Sequence, residues 1–134
     1  MSTRSNVIIK MGKTEILLYR HCDGYLTGAG QDLHNDLLNS KFDSTDSDRY
    51  FNIAEFTAKL LSKDSDYRID DQLAGDIEYL YIFEFENSYE HGEHYNRVAL
   101  KSIVVDQDHE CGLVGHRAFK TLLEFQDAIK SEGE

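Results

Sequence analysis

The chain has 134 residues, 40% of them hydrophobic, which suits one compact core and leaves too little for a second domain with a core of its own. Its formal charge is -11, from 25 acidic against 14 basic side chains, so the average surface potential repels phosphate backbones and direct nucleic-acid binding is not expected. No apolar run reaches the roughly 18 residues needed to cross a bilayer, and Met1 to Ser5 lead into a strand without a signal-peptide core, so a cytoplasmic protein with no membrane association is expected. In that compartment Cys22 and Cys111 are expected as free thiols.

The first elements are Val7 to Met11 and Glu15 to Tyr19, two β-rich runs separated by Gly12-Lys13, the pattern of an antiparallel hairpin with a short glycine turn. The second strand delivers Arg20-His21-Cys22-Asp23 to the glycine-rich stretch Leu26 to Gly30. From Gln31 to Asn39, Leu33 and Leu37 recur at helical spacing, with Leu38 beside them, and the helix can start as early as Thr27. Lys41 to Asp48 reads as a solvated linker.

Asn52 as N-cap, with Glu55 three residues on and Phe51 and Phe56 as a hydrophobic staple, predicts a helix from Asn52 to Ser62. Lys63 to Gly75 is polar, with a loop at Asp70-Asp71. Ile77 to Phe85 has the β-branched and aromatic density of a strand that is apolar on both faces, and therefore central. A loop over Glu86 to His94, a strand over Arg97 to Val105, an acidic turn from Asp106 to Glu110 and a strand within Gly112 to Phe119 follow. Thr121 and Glu124 form a second capping box ahead of a helix burying Leu122, Phe125 and Ile129. Strands and helices do not alternate regularly, so the expected class is α+β: a single domain over residues 1–134, with a mainly antiparallel sheet, about three helices and a frayed tail at 131–134.

The densest chemistry lies in Tyr19 to Tyr25. If strand alternation continued through it, His21 and Asp23 would share a face and could act as an imidazole and carboxylate pair. A structural turn at Asp23-Gly24 accounts for the same residues. The ligand-binding candidates are Arg20, His21, Asp23, Tyr25 and Arg97, and no catalytic residue is assigned. His21, Cys22, His91, His94, His109, Cys111 and His116 are metal-ligand types, and Cys-x-His or His-x-x-His pairs can chelate from a loop or strand, but there is no Cys-x-x-Cys and no His-Glu-x-x-His, and six histidines in a chain of this length scatter by chance. Asp106, Asp108 and Glu110 start like a calcium loop, yet Cys111 and Arg117 stand where glycine and glutamate are required. No metal or cofactor is therefore expected. Tyr79, Tyr81, Phe83 and Phe85 fall on one strand face and read as core, or else as a stacking platform for a base.

Thr3-Arg4-Ser5, the Tyr19 to Tyr25 segment and Glu78-Tyr79-Leu80-Tyr81-Ile82-Phe83 together resemble a family of small proteins encoded by bacteriophages and prophages. Those proteins carry Thr-Arg-Ser, then Tyr-Arg/Cys-His-Trp-Asp-Gly-Tyr-Pro, a helix and a late aromatic strand. Cys22 replaces the usual tryptophan and Leu26 the usual proline, while His21, Asp23, Gly24 and Tyr25 match directly. The resemblance implies a setting, the cytoplasm of a bacterial host, and no reaction. The expected function is non-catalytic binding by a phage-type accessory protein, such as an inhibitor of a host defence complex of the anti-CRISPR kind, whose acidic surface meets a basic groove of a host protein or ribonucleoprotein. The alternatives are a sponge for a nucleotide-derived signalling molecule and a metal-dependent or His/Asp hydrolase; self-association stays open.

Overall fold

The computed structural model describes residues 3–39, 53–62, 67–75, 77–88, 97–108 and 114–132. Strands β1 (Ser5–Met11) and β2 (Thr14–Arg20) form the expected hairpin, with Val7 opposite Leu18 and Ile9 opposite Ile16. Gly12 takes a φ of +59°, the first-position glycine of a type II′ turn, whose twist matches that of the flanking strands. A single π-helical turn, Leu26–Gly30, runs directly into α1 (Gln31–Asn39). Then come α2 (Ile53–Leu61), β3 (Tyr67–Ile69), β4 (Tyr79–Ser88), β5 (Arg97–Asp108), β6 (Val114–Phe119) and α3 (Leu122–Glu132).

The six strands form one sheet in the order β3-β2-β1-β4-β5-β6. β1 and β4 pair in parallel, and every other neighbouring pair is antiparallel. The chain is thus α+β, with a mixed, mostly antiparallel sheet. β4 is an inner strand, as its two apolar faces require. Tyr81, Phe83 and Phe85 point into the core, while Leu80 and Ile82 alternate onto the other face.

One face of the sheet and the three helices share a single core. Val7, Ile9, Leu18, Tyr81, Phe83, Ile103 and Val105 meet Leu33 and Leu37 of α1, Phe56 and Leu60 of α2, and Phe125 and Ile129 of α3. Phe83 is at its centre, with Phe56 and Phe125 meeting its ring edge-on at centroid distances of 6.3 and 5.9 Å. The capping box of α3 forms with one change. The Glu124 N–H donates to Thr121 Oγ1 at 3.1 Å, while the Glu124 carboxylate reaches one residue further back to accept from the Lys120 N–H.

Four features differ from the sequence expectation. β4 runs on to Ser88, through the first three residues read as a loop, because Glu86, Asn87 and Ser88 pair with Ala99, Val98 and Arg97 of β5. β3 lies within the stretch read as polar and irregular; only Tyr67 of its three residues is buried, so no alternation marks it. β5 continues through Asp106 to Asp108, opposite Leu80 and Tyr79 of β4 and Val114 to His116 of β6, because pairing on both sides outweighs the low strand propensity of aspartate. α3 runs to Glu132, where the Arg117 guanidinium donates to the Glu132 carboxylate at 3.1 Å, across the end expected to fray. The Asn52 cap with its Phe51 staple and the linker from Lys41 to Asp48 lie outside the described residues. Among the described residues no helix is long and apolar enough to cross a membrane.

α1 also buries a histidine. His34 is 8% exposed, its ring centroid 6.3 Å from that of Phe125, and among the described residues its Nδ1 has no hydrogen-bond partner. Burial lowers its pKa below the usual imidazole value, with the neighbouring Asn35 side chain opposing the shift and the Lys130 ammonium adding to it. A histidine depressed in the folded state is protonated first in the unfolded chain, so its contribution is intact above about pH 6.5 and is lost as pH falls through the folded-state value. The urea midpoint is therefore expected to drop between pH 7.5 and pH 5.5, and to drop less in His34→Leu. Equal slopes in the two proteins would remove His34 as the cause.

Candidate functional site

The site is built on the last residue of β2. Arg20 pairs with Ser5 of β1 on one side and Tyr67 of β3 on the other, and it is 5% exposed. Its Nε donates to the Cys22 carbonyl at 2.8 Å, and its NH1 donates to the Asp32 carboxylate and the Tyr67 hydroxyl, both at 3.0 Å. The guanidinium also lies 5.2 Å from the centroid of the Tyr67 ring. Burial works against the Arg20 charge, but the Tyr67 hydroxyl and the Asp32 carboxylate outweigh it and hold the pKa above its ordinary value. Burial pushes the Tyr67 phenol up to about 12, with Arg20 opposing the shift. Planar guanidinium geometry lets one side chain serve several acceptors. Arg20 ties β2, the following loop, the first turn of α1 and β3 into one unit.

Beyond Arg20 the strand stops. Asp23 adopts a φ of +54°, a left-handed conformation that aspartate tolerates better than most residues. The Asp23 carbonyl then accepts from the Ala29 N–H at 2.7 Å, which closes the loop onto the π-helical turn. Gly24 follows, and three segments converge on it. Its N–H donates to the Thr3 carbonyl at 2.8 Å, and its carbonyl accepts from the buried Tyr81 hydroxyl at 2.7 Å. A Cβ on Gly24 would stand 2.9 Å from the Ser5 side chain and from the Thr3 carbonyl oxygen, so a side chain is excluded there by close approach. The Glu78 N–H donates to the Arg4 carbonyl at 2.9 Å. The Thr3-Arg4-Ser5 start, the Asp23-Gly24 loop and the aromatic strand β4 are thus one packed junction.

The alternation that would pair His21 with Asp23 ends at Arg20, because the chain turns through Asp23 instead of extending. His21 is exposed and leans back on β2, its Nδ1 sharing a 3.0 Å hydrogen bond with the Tyr19 hydroxyl. Asp23 is exposed and accepts from the Tyr25 hydroxyl at 3.2 Å. That bond to Asp23 raises the Tyr25 pKa above the ordinary phenol value. Tyr25 is 40% exposed. Imidazole and carboxylate each hold a neighbouring phenol rather than one another, so the loop presents His21, Asp23 and Tyr25 as a fixed polar surface.

Arg97 is not part of this site. Arg20 stands level with Tyr79 at one end of β4, through Ser5, whereas Arg97 opposes Ser88 at the other end, on the order of 30 Å away along the strand. Tyr81, Phe83 and Phe85 are closed to solvent, which leaves no stacking surface for a base on those three rings. Among the described residues no group of three His, Cys, Asp or Glu side chains could hold a metal ion; His91, His94, His109 and Cys111 lie outside them. Asp32 and Tyr67, which complete the Arg20 network, were not among the sequence candidates. Asp32 has a local signal, an acidic residue in the first helical turn, but Tyr67 has none.

Comparison of the chain with known protein families, curated proteins and solved structures finds no match.

Proposed function

We propose that the chain is a non-catalytic binding protein that presents the braced His21–Asp23–Tyr25 loop and an acidic surface to a basic protein partner. The observation that carries this reading is the division of the polar cluster. Arg20 is consumed inside the fold, while His21 and Asp23 each hold a tyrosine, an arrangement suited to fixed recognition rather than proton transfer between the two. The charge of -11 favours a basic partner and fast, salt-sensitive association. With the phage-type resemblance, the partner we propose is a host defence complex, a protein or ribonucleoprotein whose basic groove the chain occupies in the host cytoplasm.

The test is capture from host lysate on immobilised chain at low and at moderate salt, repeated with Asp23→Arg/Tyr25→Ala. Recovery of a basic protein at low salt, reduced at higher salt and lost with the double variant, is the expected outcome. Recovery of nothing at low salt, or of the same proteins by the double variant, would count against the reading.

A further inference from the structure

The helices and the core use one face of the sheet; the opposite face carries an apolar row that crosses five strands. Ala118, Val104, Ile82, Ile8 and Leu17 stand directly opposite one another from β6 to β2. None of these five belongs to the core or to the side chains packed against it. A lone exposed leucine is ordinary, but a contiguous apolar row on a sheet face marks an interaction surface.

The next row along the strands is charged and alternates in sign. Glu15 of β2 opposes Lys10 of β1, and Lys10 opposes Glu84 of β4. On β5 the register shifts beside Glu84, and the Lys101 ammonium lies 3.4 Å from the Glu84 carboxylate. From β2 to β5 the row therefore reads acid, base, acid, base. Reversed end to end, it becomes base, acid, base, acid, so the row is complementary to its own reversal. A two-fold axis parallel to the strands, passing between β1 and β4, produces that reversal. It sets Lys10 against Glu84 of a second copy and Glu15 against Lys101, and in the apolar row it sets Ile8 against Ile82 and Leu17 against Val104.

We propose that this face is an isologous dimer interface whose occupant is a second copy of the chain. Closed two-fold symmetry requires a self-complementary patch, and this row meets the condition in both its apolar and its charged parts. The mixed signs also keep the patch from repelling itself despite the net charge of the chain. The bond from the Ala74 N–H to Asn6 Oδ1 carries the chain between β3 and β4 over one end of the face; among the described residues this leaves an area on the order of 20 Å by 20 Å, in which Ile8, Leu17, Ile82 and Val104 are half-buried and Ala118 is exposed. An area of that size is at the low end of specific interfaces, so association is expected in the micromolar range.

Sedimentation equilibrium of the full chain up to about 1 mM measures this directly. The wild-type protein is expected to dimerise, Ile82→Glu to be monomeric with its circular dichroism unchanged, and Lys10→Glu and Glu84→Lys each to weaken self-association more than about tenfold by setting like charges opposite. Mixing Lys10→Glu with Glu84→Lys is expected to restore a dimer, since each then meets its opposite across the axis. Rescue on mixing cannot arise from the Lys10–Glu84 neighbours within one chain. A wild type that is monomeric at every concentration, as it would be if the face served a different partner, overturns the proposal. So does a dimer that Ile82→Glu and both charge variants leave intact.

Discussion

Arg20→Ala is expected to lower stability by about 2–4 kcal/mol, read as a fall in the urea midpoint at unchanged slope. The loss has unequal parts. Asp32 is 42% exposed and can rehydrate once its partner is gone, so its ion pair contributes little. The Tyr67 hydroxyl is buried and would be left with its desolvation cost unmatched, and the Cys22 carbonyl would lose the bond that starts the loop. Asp32→Asn should therefore cost under about 1 kcal/mol, far less than Arg20→Ala. Arg20→Lys should recover less than half of the loss, since one ammonium cannot reach the Cys22 carbonyl, Asp32 and Tyr67 together. Equal costs for Asp32→Asn and Arg20→Ala would show that the ion pair, and not the buried fork, holds the junction.

Where packing follows from neighbours in the chain, the sequence was legible. Alternating Val7, Ile9, Ile16 and Leu18 around Gly12 predict the hairpin, and Thr121 with Glu124 predict the start of α3. The aromatic run of β4 predicts an inner strand because a run apolar on both faces needs cover on both. What was not legible depends on partners far along the chain. Arg20 reaches Asp32 twelve positions away and Tyr67 forty-seven positions away, so nothing around Arg20 distinguishes a buried clamp from a ligand-binding cation. β3 is only three residues long and exists because β2 has a free edge for it to pair with.

The candidate site shows the same division. His21, Asp23 and Tyr25 were identified as residues of interest, and they do form the exposed part of the loop. Of the two arrangements the sequence allows, the chain takes the turn at Asp23-Gly24 and not the continued alternation that would pair His21 with Asp23, and the positive φ of Asp23 that decides it leaves only the Asp-Gly dipeptide as a trace in sequence. Arg97 was grouped with Arg20 on charge alone, and strand register separates them. Register also exposes the self-complementary row on the open face, since Lys10, Glu15, Glu84 and Lys101 are scattered in the chain and become a pattern only when four strands are aligned.

The second large effect is expected at Tyr81, the side chain that joins the core to the loop. Its ring is fully buried, stacked at 6.1 Å on Tyr79, and burial holds its phenol well above the ordinary value, in the protonated form that donates to the Gly24 carbonyl. Tyr81→Ala removes ring and hydroxyl together and should cost about 3–5 kcal/mol, a large fraction of the 5–15 kcal/mol typical of a domain. Tyr81→Phe keeps the ring and removes only the donor, leaving the Gly24 carbonyl without its buried partner at a cost of about 1–2 kcal/mol. The two variants should also differ in where the loss appears. In Tyr81→Phe, hydrogen exchange should quicken at the Gly24 and Ala29 amides, which close the loop, while the amides shared by β1 and β4 keep their protection relative to global unfolding. Tyr81→Ala should lower protection in both places, because the ring supports the sheet and the hydroxyl supports the loop. Uniform acceleration in Tyr81→Phe would mean that the loop and the core open as one cooperative unit, and that the hydroxyl is as much part of the core as the ring.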